Sequence, residues 1–349
     1  MKLSFRWYGE DDPVSLSEIR QIPGVKTIVS ACYDVPPGQP WKRERVAEIR
    51  GKAEKNGLSF EVAEGLPVHE DIKLGDRERD TYIQYYIENL RLLAGLGIKV
   101  VCYNFMPVFG WLRTDLDFRL PDGSHTLAFD LKKLEGMNPQ EEELRLPGWS
   151  HSSRKEERKE LILRYQELGE QGLRENLRYF LEAVVPKAEE FGIQMAIHPD
   201  DPPISVFGLP RVVSTEEDLE KITAMAESPA NGITLCAGSL GSIASNDVVR
   251  IAGRFAAKGK IPFVHARNVL RGEDGKFAET GHQTQEGSLN MADILYALKK
   301  NGFDGYIRPD HGRMIWEETG RPGYGLFDRA LGAAYLNGLW EALGKEMHA

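Results

Sequence analysis

His198, Cys236, His265 and Asp310 are separated by 38, 29 and 45 residues. Each spacing is close to one strand plus one helix. Each residue also closes a short apolar run: Met195-Ala196-Ile197 before His198, Thr234-Leu235 before Cys236, and Phe263-Val264 before His265. The fourth run, Tyr306-Ile307, leads into Arg308-Pro309-Asp310-His311-Gly312. Chemistry in parallel α/β proteins sits where strands end, because the strand fixes the backbone and the loop frees the side chains. Pro, Asp and Gly also form ordinary surface turns, and a lone strand-end Cys is usually a small buried hydrophobe. Four such residues on successive strand ends are poorly explained by packing. In a barrel they would converge on one rim.

Two imidazoles, a thiolate and a carboxylate form a donor set of borderline softness. It suits Zn²⁺, Fe²⁺, Co²⁺ or Mn²⁺ better than Mg²⁺ or Ca²⁺, which prefer oxygen. A metal would deprotonate Cys236. The charges of ion, thiolate and Asp310 carboxylate would then roughly cancel. Arg267 and Arg308 are neighbours of the ligands in sequence. They are expected to supply positive charge for an anionic substrate, since guanidinium pairs bidentately with carboxylate.

The elements that must position these residues alternate eight times. Strand-like runs cover 3–8, 26–32, 58–63, 98–105, 194–198, 232–236, 262–266 and 305–308. Helix-like segments lie at 15–21, 41–55, 76–94, 172–191, 214–227, 247–258, 290–300 and 325–343. Ser15 with Glu18, and Ser214 with Glu217, read as capping boxes. Asn56-Gly57 and Asn301-Gly302 read as helix stops. Tyr82, Tyr86, Leu90 and Leu93 recur at helical spacing. Eight strand–helix units predict an α/β fold, a (β/α)₈ TIM barrel, as a single domain over 1–349. A doubly wound sheet is the alternative, but no dinucleotide or phosphate-binding glycine motif supports one.

The rhythm breaks after the fourth strand. Residues 106–171 form an insertion rich in charge, Pro and Gly. Within it, 114–120 and 126–131 flank Pro121-Asp122-Gly123-Ser124 and predict a hairpin. The charged stretch 154–160 predicts a solvated helical face. So long an insertion in a compact domain is characteristic of a lid or binding loop. It is expected, with Trp111 and His125, to cap the site.

Composition narrows the function classes. The chain has 349 residues, 41% hydrophobic and 28% charged, as soluble globular proteins do. A net charge of −9 disfavours nucleic acid, which needs a basic field. Cys32, Cys102 and Cys236 are too sparse for a disulfide framework and point to a reducing cytosol. The N-terminus lacks a signal-peptide core and no apolar run is long enough for a membrane. A cytoplasmic protein is expected, with neither nucleic acid nor membrane as partner.

The chain resembles the D-mannonate dehydratase family over essentially its full length. The matching segments are Ala196-Ile197-His198-Pro199-Asp200-Asp201-Pro202-Pro203, Leu235-Cys236-Ala237-Gly238-Ser239-Leu240-Gly241, Val264-His265-Ala266-Arg267-Asn268 and Arg308-Pro309-Asp310-His311-Gly312-Arg313. Phe5-Arg6-Trp7-Tyr8-Gly9 also fits. The resemblance implies a xylose-isomerase-like barrel, a homodimer and a divalent cation, usually Mn²⁺, with Fe²⁺ or Co²⁺ as alternatives and Zn²⁺ behind them. It implies conversion of D-mannonate to 2-keto-3-deoxy-D-gluconate plus water, in hexuronate catabolism. The ligands it implies are His198, Cys236, His265 and Asp310, and it associates His311 and Tyr324 with catalysis.

Such a dehydration removes the C2 proton and expels the C3 hydroxyl, so it needs a base and an acid. His311 follows a ligand and titrates near neutrality in its ordinary state. Tyr324 lies in Gly320-Arg321-Pro322-Gly323-Tyr324-Gly325, a loop able to fold over the site. The pair is expected to supply acid and base, in an order the sequence leaves open. Asn104, Arg6 and Trp7 end the fourth and first strands and are candidates for binding substrate hydroxyls. Asn104 could equally be a loop-capping amide. His282 is a weaker candidate, and His69 and His125 are expected at the surface. A metal-dependent sugar isomerase or epimerase on the same fold is the alternative, although its site would be richer in carboxylates. A repair nuclease is opposed by the acidic charge. A non-catalytic sugar-acid binder is opposed by the acid and base candidates beside the ligands.

Overall fold

A computed structural model describes residues 1–135, 137 and 155–346. In chain order the strands are β1 (Lys2–Arg6), β2 (Thr27–Ser30), β3 (Ser59–Glu64), β4 (Val100–Tyr103), β5 (Asp115–Arg119) and β6 (His125–Phe129). They continue with β7 (Gln194–Ile197), β8 (Asn231–Cys236), β9 (Phe263–Ala266), β10 (Val269–Arg271), β11 (Phe277–Glu279) and β12 (Tyr306–Pro309). The α-helices are α1 (Leu16–Gln21), α2 (Arg43–Lys55), α3 (Glu70–Leu74), α4 (Arg79–Ala94), α5 (Leu131–Leu134) and α6 (Lys155–Phe191). After them come α7 (Glu216–Met225), α8 (Ala237–Gly241), α9 (Val248–Ala257), α10 (Met291–Lys300) and α11 (Phe327–Glu346).

Eight strands close a parallel barrel in the order β1-β12-β9-β8-β7-β4-β3-β2. β1 pairs with both β12 and β2, which completes the ring. The expected (β/α)₈ architecture is present, and each predicted strand is a barrel strand. Parallel strands covered on both faces read as continuous apolar runs. The barrel interior holds Val29, Val62, Val100, Cys102, Ala196, Phe263 and Tyr306. This apolar cluster fills the barrel below the C-terminal rim, where the strand-end side chains of interest lie. The helices lay a second, larger core against the outside of the barrel. Among the described residues no helix is long and apolar enough to cross a membrane.

Helix starts follow local chemistry. Ser15 and Glu18 form the expected capping box. The box before α7 is one residue later than expected: Thr215 and Asp218 exchange the bonds. Ser214 turns its hydroxyl to Asp200 instead, at 3.1 Å. A buried carboxylate needing donors outcompetes the helix end for that hydroxyl.

The insertion holds the predicted hairpin, β5 against β6. Its wider context was not legible. β6 also pairs with β11, and β11 with β10, giving a four-stranded antiparallel sheet beside the barrel mouth. The helix expected from 172 begins at Lys155 and runs through a break at Gly169, whose φ is 65°. Ile162 and Tyr165 lie fully buried in this earlier stretch, so packing drives it helical despite the glycines. Residue 154, the first of the charged stretch, lies outside the described residues; Lys159 and Glu160 are exposed on the helix as expected.

Candidate active site

The strand ends converge. His198 follows β7, Cys236 closes β8, His265 lies on β9 and Asp310 follows β12. One ligand atom each from His198, Cys236 and His265 lies within 4.8 Å of the others. The Asp310 Oδ2 atom is 3.7 Å from the Cys236 sulfur and 3.9 Å from His265 Nδ1. The register of neighbouring strands explains this: Cys236 sits opposite His265, and β12 pairs alongside β9.

The two imidazoles indicate what belongs between them. His198 Nδ1 lies 2.7 Å from the Pro199 carbonyl oxygen, which accepts a proton only from an Nδ1–H. His265 turns Nε2 toward a Glu64 carboxylate oxygen at 3.4 Å. His198 thus spends its proton on an outward acceptor, while the Glu64 anion lies near the His265 Nε2 without a hydrogen bond and favours a proton on that nitrogen. With those tautomers His198 Nε2 and His265 Nδ1, 3.1 Å apart, would face each other as bare lone pairs. That arrangement repels unless a cation lies near both. Outward hydrogen bonds of this kind orient histidine ligands in metal sites. Burial holds the His198 imidazole below its ordinary range, against the pull of Asp201 and Asp310, which keeps it neutral for ligation. The donor set therefore fits a divalent ion of borderline softness.

A second trio, Glu64, Cys102 and His265, is equally close. It is a poorer candidate. Burial raises the Cys102 thiol well above its usual range, so it keeps its proton. Glu64 is already committed to two arginines, Arg6 and Arg308.

Four of the buried guanidiniums around the site are matched by carboxylate; a fifth, Arg329, donates instead to the Tyr324 and Arg6 carbonyls. Arg308 donates to Glu64 from Nε at 3.1 Å and from Nη2 at 3.0 Å, and contacts Asp310 at 2.7 Å. Arg6 contacts the same Glu64. Arg267 reaches Asp201 at 2.8 Å and Asp310 at 3.3 Å. Arg113, from the insertion, grips Asp201 at 2.8 and 3.1 Å and Glu279 at 2.9 and 2.6 Å. Burial would raise these carboxyls. The arginines outweigh it and hold Glu64, Asp201 and Asp310 well below the usual carboxylate range, while His311 together with Arg113 and Arg267 holds Glu279 below it. Four carboxylates thus meet four guanidiniums. The expectation that Arg267 and Arg308 bring spare charge to a substrate is revised: both line the cavity, but protein carboxylates already claim their charge. Buried ions survive only when paired.

His311 and Tyr324 are in direct contact, with His311 Nε2 2.9 Å from the Tyr324 hydroxyl. Their partner was missed from the sequence. Glu279, at the end of β11, places its oxygens 2.9 and 2.8 Å from His311 Nδ1. Arg267 Nη1 also lies 3.2 Å from that nitrogen. Both contacts cannot be hydrogen bonds, because the carboxylate needs a proton on Nδ1 and the guanidinium needs a lone pair. The shorter, two-oxygen contact with the anion places the proton on Nδ1. In that tautomer Nε2 would carry the lone pair and accept from Tyr324. Burial raises the Tyr324 phenol well above its usual range, so it keeps its proton.

His198, His265, Asp310, Arg267, His311 and Tyr324 line one cavity of about 300 Å³. Asn104 lines it, but its side-chain Oδ1 also accepts from Met106 N at 3.3 Å, the loop-capping use. Arg6 lines it too. Trp7 does not: it belongs to the outer core, and Tyr8 takes the place at the cavity. Alternation along the strand separates Arg6 from Trp7. Trp111 reaches the cavity from the insertion, its ring 5.5 Å from that of His311. His282 is buried away from the cavity, whereas His125 pairs with Asp117 at the surface. His69 is half-buried, caps α3 and stacks on Tyr82. Glu64, Glu279, Asp201 and Arg113 are the residues that reading in one dimension passed over. Asp201, three residues past His198, and Glu64, directly after the third strand-like run, carried a positional signal.

Comparison with known proteins agrees with this geometry. The D-mannonate dehydratase (UxuA) family model matches residues 1–349. A mannonate dehydratase of Streptococcus agalactiae serotype III (strain NEM316) is 52% identical over 345 residues, covering 99% of each chain. The crystal structure of mannonate dehydratase from Streptococcus suis serotype 2 matches with a TM-score of 0.93 and 46% identity, covering 99% of this chain and 96% of that one. A xylose isomerase domain protein from Alicyclobacillus acidocaldarius shares the fold alone, with a TM-score of 0.57 and 16% identity over 98% of this chain and 99% of that one. With its whole length matched and its strand-end residues converging, the chain belongs to the D-mannonate dehydratase family, built on a xylose-isomerase-like barrel.

Proposed function

We propose that the protein is a hydro-lyase that converts D-mannonate to 2-keto-3-deoxy-D-gluconate and water. The observation that carries this reading is the Glu279–His311–Tyr324 chain standing beside four convergent ligand residues. His198, Cys236, His265 and Asp310 would hold the divalent ion, for which Mn²⁺ is the proposed identity. When bound, the ion supplies Lewis-acid withdrawal that lowers the cost of negative charge next to the substrate carboxylate.

The protein's own groups move the protons. His311 Nε2 bears the lone pair and takes the proton from C2. The C2–H electron pair becomes the C2–C3 double bond as the C3–O bond breaks. Tyr324 gives its proton to the departing hydroxyl, which leaves as water. The remaining enol moves its hydroxyl proton to C3 and becomes the 2-keto acid. Protonated His311 then returns a proton to the Tyr324 oxygen across their 2.9 Å contact, restoring both groups. Glu279 supports this cycle by stabilising the imidazolium and fixing its tautomer. Arg267 and Arg308 act by holding Asp310 and Glu64 in place. Trp111, carried by the insertion, excludes water from the cavity.

The wider reading is a single barrel domain with 106–171 as its cap, working in the cytoplasm in hexuronate breakdown. Three buried free cysteines support a reducing compartment. A homodimer is part of the proposal, supported by Phe118 and Leu270, exposed apolar residues of the small sheet. The test is the assay of the keto acid from D-mannonate, with and without chelator, and with each cation restored in turn. Near-normal turnover by metal-loaded His311→Asn and Tyr324→Phe would overturn the acid–base assignment. A ketose product would instead favour an isomerase.

A further inference from the structure

Four arginines line the active-site cavity: Arg6, Arg267, Arg308 and Arg321. The first three are buried and paired with carboxylates. Arg321 differs on both counts. It is exposed at the cavity mouth and pairs with no carboxylate among the described residues. Its guanidinium lies over the Tyr8 ring, 4.0 Å from the ring centre. A guanidinium stacked by its face keeps its in-plane N–H donors free, and that fork matches a carboxylate.

Its surroundings tie it to the reacting groups. The Arg321 carbonyl accepts from Tyr324 N at 2.9 Å, so the two residues share one tight turn. Gly323, with φ +79°, makes that turn possible and packs against Leu127 of the hairpin. The Tyr8 ring under Arg321 meets the Tyr324 ring edge-on, at 4.8 Å and 84°. Arg321, Tyr8 and Tyr324 thus form one contiguous wall. An anion held at Arg321 would steady the wall that carries the Tyr324 hydroxyl.

We propose that Arg321 is a specificity-determining residue that binds the carboxylate of the sugar acid at the cavity mouth and so selects acids over neutral sugars. This rests on the sugar-acid dehydratase reading of the same site. The charge balance favours it. Among the described residues, the arginines buried in the cavity wall are paired with carboxylates, so Arg321 is a protein cation that an incoming carboxylate can claim without displacing a protein partner.

The experiment compares the metal-loaded parent with Arg321→Gln and Arg321→Lys, measuring kcat and KM on D-mannonate and inhibition by the neutral polyol D-mannitol. Loss of one charge-assisted contact raises KM about 10- to 100-fold in Arg321→Gln, with a much smaller change in kcat. Arg321→Lys recovers part of that loss, and mannitol inhibits all three proteins alike. A residue needed only to shape the loop would lower kcat and would not separate acid from polyol. An unchanged KM in Arg321→Gln, or equal weakening of mannonate and mannitol, overturns the proposal. If the parent itself makes no keto acid, the dehydratase reading fails first, and the two failures are distinct.

Discussion

Replacing Glu279 by Gln tests the site's least legible feature with almost no change in shape. Glu279 is fully buried and serves both His311 Nδ1, at 2.8 Å, and Arg113, at 2.6 Å. The amide keeps one acceptor but trades the other for an NH₂ donor and loses the charge. His311 then loses its charge-assisted bond, and with it the preference for a proton on Nδ1. That bond is worth about 1.5–3 kcal/mol, so kcat should fall about 10- to 150-fold. Folding should suffer less than the roughly 3–5 kcal/mol for stripping a buried ion of its partner, because Arg113 keeps Asp201 at 2.8 and 3.1 Å. The four ligand residues are untouched, so bound metal should stay at the parental stoichiometry. The assay pairs initial rates of keto acid formation with metal analysis on the same dialysed sample. Turnover within about threefold of the parent, with metal bound, would refute the claim that Glu279 sets up His311. Parallel loss of metal and activity would show that Glu279 acts on the metal site instead.

Three further outcomes follow from the geometry. Cys236→Ala removes a ligand, so metal affinity should drop by more than the roughly 10- to 100-fold that losing an outer-shell partner costs; retention of metal through dialysis would exclude Cys236 as a ligand. Gly238→Ala places a methyl against the Arg267 side chain, which passes close over this glycine; overpacking should cost about 1–3 kcal/mol, read as a lower urea midpoint, and an unchanged midpoint would mean that Arg267 moves freely. Acid should destabilise the fold: burial raises the Glu64 and Asp201 carboxyls, but their arginine partners hold them well below the usual range. Groups depressed in the folded state contribute fully above about pH 4.5 and lose that contribution as pH falls toward their folded values. The urea midpoint should decline steadily from about pH 5 downward, and a flat midpoint to about pH 3.5 would contradict the pairing.

What could be read in one dimension was local and periodic. Strand spacing placed His198, Cys236, His265 and Asp310 on consecutive barrel strands, because a βα repeat has a nearly constant length. Arg308-Pro309-Asp310-His311 read as a site because three polar side chains end a buried strand. The hairpin was legible from its turn residues. Its role was not: Arg113 meets Glu279 across 166 positions of sequence, and no local pattern encodes that pairing. Glu64 looked like the end of one more strand until the closed barrel set it against Arg308, 244 positions away. The types and order of the candidate ligands were thus determined by the sequence alone. Which arginines are already neutralised, which nitrogen of His311 bears the proton, and which cation stays free were decided by tertiary structure. The physical reason is that charge in a buried site is set by neighbours in space, whereas spacing along the chain records only the period of the fold.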